Sequence, residues 1–376
     1  MAEADAPLPR PTPLDALHRA LGARMVPFAG HWLPMHYPDG ILAEHRWCRE
    51  SAALFDVSHM GQIVLRGAGA DAALEALTPA DILGLAEGRQ RYALLMNEAG
   101  GIEDDLMVAR LEGALHLVVN GAVRESDLAT IRAAMPAAIA VEPHFERALL
   151  ALQGPQAEAA LLRHAPGAAA LRFMDVAALA VAGASAIVSR SGYTCEDGFE
   201  IALEAAEAER VARALLAEPE VRPAGLGARD SLRLEAGLCL YGADMDAAVS
   251  PVEAGLAWSI GKARRPGGSR AGGYRGQARV ERELAGGPPR VRVGLRPEGR
   301  APVRGGAALF AHEAGGEPVG RVTSGGFGAT LGAPVAMGLV AAVHAAEGGR
   351  LFAEVRGQRL PVAITPLPFV PPRFRR

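Results

Sequence analysis

The sequence predicts an α+β fold, with an N-terminal region of alternating strands and helices followed by a small C-terminal β-barrel. Three observations carry this prediction. Apolar runs and helix signals alternate in an α+β layer pattern from Thr12 to Gly237. A Gly- and Arg-rich stretch from Arg264 to Arg275, then Gly286-Gly287-Pro288-Pro289, reads as a linker, dividing the chain at 1–262, 263–289 and 290–376. Beyond it stand six strand-like pieces separated by Gly and Pro: Val291 to Leu295, Ala308 to Phe310, Val319 to Thr323, Val335 to Val340, Leu351 to Val355 and Leu360 to Ile364.

Composition excludes several classes. The 376 residues are 50% hydrophobic and 22% charged, enough apolar material for two or three packed units. A net charge of −3 gives no argument for nucleic acid or an anionic membrane. No run approaches the ~18 to 20 apolar residues of a membrane span. The N-terminus shows neither the basic-then-apolar pattern of a secretory signal nor an Arg-rich transit peptide. Cys48, Cys195 and Cys239 are an odd, sparse set without zinc-site spacing. They suggest a reducing cytoplasm and no metal.

In chain order, Thr12-Pro13-Leu14-Asp15 reads as a helix start, with Thr12 the N-cap and Leu14, Leu17 and Leu21 the apolar stripe, ending at Gly22. Met25 to Gly40 reads as an aromatic, Pro- and Gly-rich loop, either irregular core or a pocket wall. His59 precedes strand Ile63-Val64-Leu65; a hydrogen-bonded structural role is the simpler reading for it. Short helices are expected at Ala70 to Leu77 and around Arg124 to Ala134, with strands at Leu115 to Val119 and Leu149 to Gln153. Tyr92 to Met96 and Leu106 to Ala109 flank a Gly100-Gly101 turn and read as a β-hairpin. Glu103, Asp104 and Asp105 sit where its second strand leaves the turn. Side chains alternate along a strand, so only one of Asp104 and Asp105 can face a common site. Solvated acids are the plainer alternative.

Glu200 opens the strand Glu200-Ile201-Ala202-Leu203 beside apolar neighbours, so its carboxylate needs a donor or a raised pKa. On the helix bounded by Gly225 and Gly237, Arg233 has Asp230 within reach. Arg229 has no acid three or four residues away, so it wants a remote carboxylate or a ligand unless it is simply solvated. The terminal Arg373, Arg375 and Arg376 read as a solvated basic tail. There is no Walker loop, no GxGxxG turn and no GxSxG elbow. The remaining set suits a flat, polar, partly aromatic ligand with an acidic tail.

The segments GARMVPFAG from Gly22, LFDVSHMGQI from Leu54, NEAGGIEDDL from Asn97, LLALQGP from Leu149, SGYTCEDGFEI from Ser191, GLGARDSLRLEAGLCLYG from Gly225, and the later VTSGGF and VAMG resemble the aminomethyltransferase (T-protein) family of the glycine cleavage system. The resemblance spans nearly the whole chain, its motifs in order. It implies a cloverleaf of two intertwined α+β subdomains, one at 56–147, and a β-barrel around tetrahydrofolate. It implies transfer of an aminomethyl group from the lipoyl arm of a partner H protein, with release of ammonia and formation of 5,10-methylenetetrahydrofolate. On this resemblance Asp105 is the catalytic acid, Tyr92, Tyr193, Glu200 and Arg229 contribute to the folate site, and Met60 lines it. The protein is then expected to be a monomer outside the H-protein complex.

Three places depart from the family pattern: Cys195 stands where Gly is usual, His31 where FAGW has its tryptophan, and the segment TSGGFGA replaces TSGTFSP from Thr323. The loop around Cys195 is expected to have adapted to negative φ, with Gly192 and Gly198 absorbing the change. Two other readings stand beside this one. The folate half of a dimethylglycine- or sarcosine-oxidising enzyme would carry a flavin domain. A non-catalytic folate protein assisting iron–sulfur assembly would carry a Lys-Gly-Cys cluster, where this chain has GLCLYGADMD without lysine.

Overall fold

A computed structural model describes residues 8–375. Its N-terminal part is built on two sheets that share one stretch of chain. Strand Ala52–Asp56 lies inside a six-stranded sheet, in the order Val176–Val181, Ala184–Ser189, Gly198–Leu203, Ala148–Gln153, Ala52–Asp56, Val221–Pro223. Four residues later the chain enters a second, five-stranded antiparallel sheet, in the order Arg89–Met96, Ile102–Leu111, Ala114–Val119, Gly61–Arg66, Ala140–Pro143. Strand Ala148–Gln153 then returns it to the first. The second sheet is thus an insertion into the first, which is how the two units intertwine.

Each sheet buries one face against helices, as its pattern of apolar residues dictates. The six-stranded sheet packs Leu150, Leu152, Phe199, Ile201 and Leu203 against Leu161, Val211 and Leu215. Full burial of one such side chain stabilises by ~1.5–3 kcal/mol. The five-stranded sheet packs Ile63, Leu65, Val108 and Leu117 against Leu74, Leu128 and Ile131. The C-terminal strands Arg290–Pro297, Ala308–Phe310, Pro318–Gly328, Ala333–Ala341, Arg350–Val355 and Gln358–Thr365 close into a six-stranded barrel. The fold is therefore α+β with a C-terminal β-barrel, as the sequence predicts. No helix among the described residues is long and apolar enough to cross a membrane.

Several local expectations are corrected. Thr12 does not cap the first helix, Asp15–Ala20; its hydroxyl donates instead to Asp56 Oδ2 at 2.7 Å, where His18 Nε2 also binds at 2.9 Å. A buried carboxylate outbids a helix end for the hydroxyl because its hydrogen bonds are charge-assisted. Leu21 of the expected stripe is exposed. The segment 25–40 is a β-hairpin, Arg24–Phe28 with His31–His36, rather than a loop. The segment 263–289 carries helix Gln277–Gly286 and is anchored by Arg264 and Arg270, both paired with buried Glu75. The C-terminal tail is not merely solvated. Arg375 pairs with Glu158 at 2.8 Å, while Arg376 lies outside the described residues.

Candidate active site

A cavity of about 1460 Å³ lies where the small N-terminal sheet, the two large sheets, helix Leu226–Glu235 and the barrel converge. All six residues singled out from the sequence, Met60, Tyr92, Asp105, Tyr193, Glu200 and Arg229, line it. Phe28 and Met35 of the N-terminal hairpin line it too, so that segment forms pocket wall.

The hairpin that holds Asp105 forms as its pattern requires. Leu94 pairs with Asp105 and Leu95 with Asp104 across the two strands. The turn needs its glycines: Gly100 has φ +79°, and a Cβ on Gly101 would stand 1.8 Å from the Ala247 carbonyl oxygen. Alternation then separates the acids. Asp104 is fully buried and Asp105 faces the cavity. Burial lifts the Asp105 carboxyl to about 7, the negative charge of Asp104 adds to this, and hydrogen bonds from Tyr92 and Asn120 partly oppose it.

Glu200 finds its donor in Ser191, whose hydroxyl lies 2.6 Å from Oε2. Tyr193 donates to the Cys239 carbonyl oxygen and offers its ring to the Arg229 guanidinium, 4.8 Å from the ring centroid. Arg229 forms no ion pair among the described residues, Glu200 included, and its Nη1 is buried without a hydrogen-bond partner. Burial lowers its pKa, only partly offset by the charge of Glu200. Its neighbour Arg233 contrasts with it, held by Asp230 and, at 2.7 Å, by Asp244. Tyr92 stacks on Trp258, which is 62% exposed.

Among the polar groups on the cavity that sequence reasoning missed, two stand out. One is Asn120, whose side chain contacts both Asp104 and Asp105. Its signal was faint: a single Asn after an apolar strand. The other is His59, weighed only as structural. Its imidazole is kept neutral, pushed down to about 3 by burial and then by Arg229, and its Nδ1 is unpartnered. Cys195 also lines the cavity, with φ +64°. The expected adaptation to negative φ has not occurred; the backbone keeps the left-handed conformation that glycine favours.

Away from the cavity floor, buried Glu235 anchors a structural network. Glu235 accepts from His45 and Arg49, both at 3.1 Å, and Arg49 also reaches Glu196 at 2.9 Å. The Thr330 N–H of the barrel donates to Glu235 at 2.8 Å. This knot ties two helices, the loop at 194–196 and the barrel together. No group of acids, histidines and cysteines that could hold a metal occurs among the described residues.

Comparison with known proteins agrees with this architecture. Residues 14–264 match the GCVT N-terminal domain, and residues 290–371 the glycine cleavage T-protein C-terminal barrel domain. The mitochondrial aminomethyltransferase of Gallus gallus is 44% identical over 371 residues, covering 96% of this chain and 93% of that protein. A probable mitochondrial aminomethyltransferase of Schizosaccharomyces pombe is 41% identical, covering 96% and 92%. The crystal structure of glycine cleavage system aminomethyltransferase T from Bartonella henselae superposes with a TM-score of 0.91 at 41% identity, covering 98% of this chain and 99% of that one. The Gallus gallus and Schizosaccharomyces pombe relatives are mitochondrial, so the expected cytoplasmic location gains no support from them. Two matched domains in sequence, near-complete coverage of the relatives and a shared fold place this chain in the aminomethyltransferase (T-protein) family of the glycine cleavage system.

Proposed function

We propose that this enzyme takes an aminomethyl group from the lipoyl arm of a partner H protein and passes its carbon to tetrahydrofolate in the cavity, forming 5,10-methylenetetrahydrofolate. The C–S bond breaks to leave a thiol and the C–N bond breaks to release ammonia. The carbon bonds to N5 and N10 of the folate, whose two N–H hydrogens leave on sulfur and nitrogen. No oxidant is needed.

The observation that carries this reading is the presence, on one cavity, of Arg229 with its Nη1 lacking a hydrogen-bond partner and of an Asp105 carboxyl raised by burial. A guanidinium forks onto a carboxylate, and Glu200 suits the amide and amino edge of a pterin. Tyr92, Tyr193 and Met60 supply the apolar wall. The volume exceeds the ~300–1,000 Å³ of a site for one small molecule, as a site shared with an entering arm requires. Ionised, Asp105 stabilises positive charge as the C–S bond breaks; near its pKa it carries a proton between folate nitrogen and departing amine. Enclosure keeps water from the transferring carbon and prevents its loss as formaldehyde.

The iron–sulfur reading needs a reactive cysteine. Cys239, in the corresponding stretch, is 5% exposed, and burial pushes its thiol up to about 12. The deciding measurement is methylenetetrahydrofolate formation from aminomethyl-loaded H protein. Asp105→Asn should fold, bind tetrahydrofolate and slow transfer by at least ~100-fold. Near-wild-type turnover there, beside a dead Asp104→Asn, would move the role to the neighbouring acid.

A further inference from the structure

Asp105 is one end of a hydrogen-bonded array. Asn120, the residue after strand Ala114–Val119, donates its backbone N–H to Asp104 Oδ2 at 3.0 Å. Its side-chain Nδ2 lies 2.8 Å from Asp104 Oδ1 and 2.7 Å from Asp105 Oδ1, with the Asp105 carbonyl oxygen at 3.1 Å. Behind Asp104 stands Asp127, from the first turn of helix Arg124–Ala134, which is 2% exposed with Oδ2 unpartnered. The Asp104 and Asp127 carboxyls lie close enough to perturb one another, and such a pair titrates as a unit. Burial and the charge of Asp104 push the Asp127 carboxyl up. The order is Asp127, Asp104, Asn120, Asp105.

We propose that Asn120 is a positioning residue for the transfer reaction, its side-chain amide clamping the Asp105 carboxylate in the cavity and tying it to the buried Asp104–Asp127 pair. This rests on the reading of Asp105 as the reacting carboxyl. An amide NH₂ has two hydrogens, and here each carboxylate takes one. Rotating the Asn120 side chain would leave a carboxylate without its donor, so packing and hydrogen bonding fix one geometry. The titratable groups facing Asp105 are Asp104 on its own strand, Asp127 on the helix, Tyr92 on the adjacent strand, and Tyr193 and Cys239 from other walls. Two of its neighbours act in opposite senses. The Asp104 charge opposes ionisation of Asp105, and the Asn120 N–H favours it.

The test measures kcat and KM against pH, with aminomethyl-loaded H protein and tetrahydrofolate, in wild type, Asn120→Ala, Asn120→Ser, Asp104→Asn and Asp105→Asn. Asn120→Ala should lower kcat by ~10- to 100-fold while leaving KM for folate within about threefold, the pattern of lost transition-state positioning. Its Asp105-dependent limb should move to higher pH. In Asp104→Asn the same limb should move to lower pH by about one unit. Asn120→Ser, which keeps one donor, should recover part of the rate. If Asn120→Ala does not fold, Asn120→Ser and Asp104→Asn decide the matter. A slow Asp105→Asn beside Asn120 variants of unchanged kcat, with the limb unmoved in Asp104→Asn, overturns the clamp alone. A fast Asp105→Asn overturns the reading beneath it.

Discussion

Replacing Arg229 separates a ligand-binding cation from a structural one, and the geometry sets the size of both effects. In the free protein its buried Nη1 has no partner, which costs ~1–3 kcal/mol. The Tyr193 ring at 4.8 Å offsets this by ~0.5–2 kcal/mol. The two nearly cancel, so Arg229→Leu should leave the melting temperature of the ligand-free protein within about 2–3 °C of wild type. On the proposed reading, bound folate supplies the missing acceptor, and a charge-assisted hydrogen bond is worth ~1.5–3 kcal/mol. Arg229→Lys keeps the charge but loses the planar fork. Its affinity for tetrahydrofolate should fall by ~1–3 kcal/mol, or roughly five- to 150-fold. Titration calorimetry beside thermal melts of both forms reads the two numbers independently. Undiminished affinity in both Arg229→Lys and Arg229→Leu, with a clearly lowered melting temperature, would make Arg229 a structural residue and refute the argument.

Two further expectations concern other parts of the fold. Cys195 at φ +64° bears a Cβ penalty of ~1–2 kcal/mol. Cys195→Gly removes it, against ~0.5–1 kcal/mol from a more flexible unfolded chain. The variant should melt slightly higher by calorimetry; a lower melting temperature would show that the side chain's packing outweighs the strain. Glu235, lowered to about 2 against its burial by His45, Thr330 and Arg49, contributes stability that is complete above its unfolded pKa of about 4.5 and lost as pH falls through about 2. Glu235→Gln should cost ~3–5 kcal/mol in denaturant melts at pH 7 and progressively less below pH 4; equal cost at both would contradict the linkage.

The barrel was legible because each of its strands is short, apolar and bounded by Gly or Pro, from Val291 to Ile364. The hairpin of Asp105 was legible for the same reason, and alternation alone separates Asp104 from Asp105. Arg229 showed itself by what its helix lacks, an acid at three- or four-residue spacing. Thr12 was misread because its acceptor, Asp56, lies 44 residues away, and no local pattern reveals that a buried carboxylate competes for the hydroxyl. Likewise, Pro27 and Pro34 masked the N-terminal hairpin. Both sit in a small three-stranded sheet where the pairing tolerates them. Asn120 gave only a faint signal for a third reason: its two carboxylate partners, Asp104 and Asp105, lie on a neighbouring strand.

The cavity has no owner among the units that surround it. The first sheet contributes Glu200, the inserted sheet Asp105, the helix Arg229 and the barrel Ser324. The knot of His45, Arg49, Glu196 and Glu235 reaches the barrel at Thr330 and holds those walls in register. A molecule that fills the cavity therefore binds only the fully assembled chain and stabilises every wall by mass action. By that linkage occupancy should be felt as far away as strand Gln358–Thr365, none of whose residues lines the cavity, because the barrel strand that carries Thr323 and Ser324 does. In this protein the closing of the barrel and the readiness of the site are the same thermodynamic event.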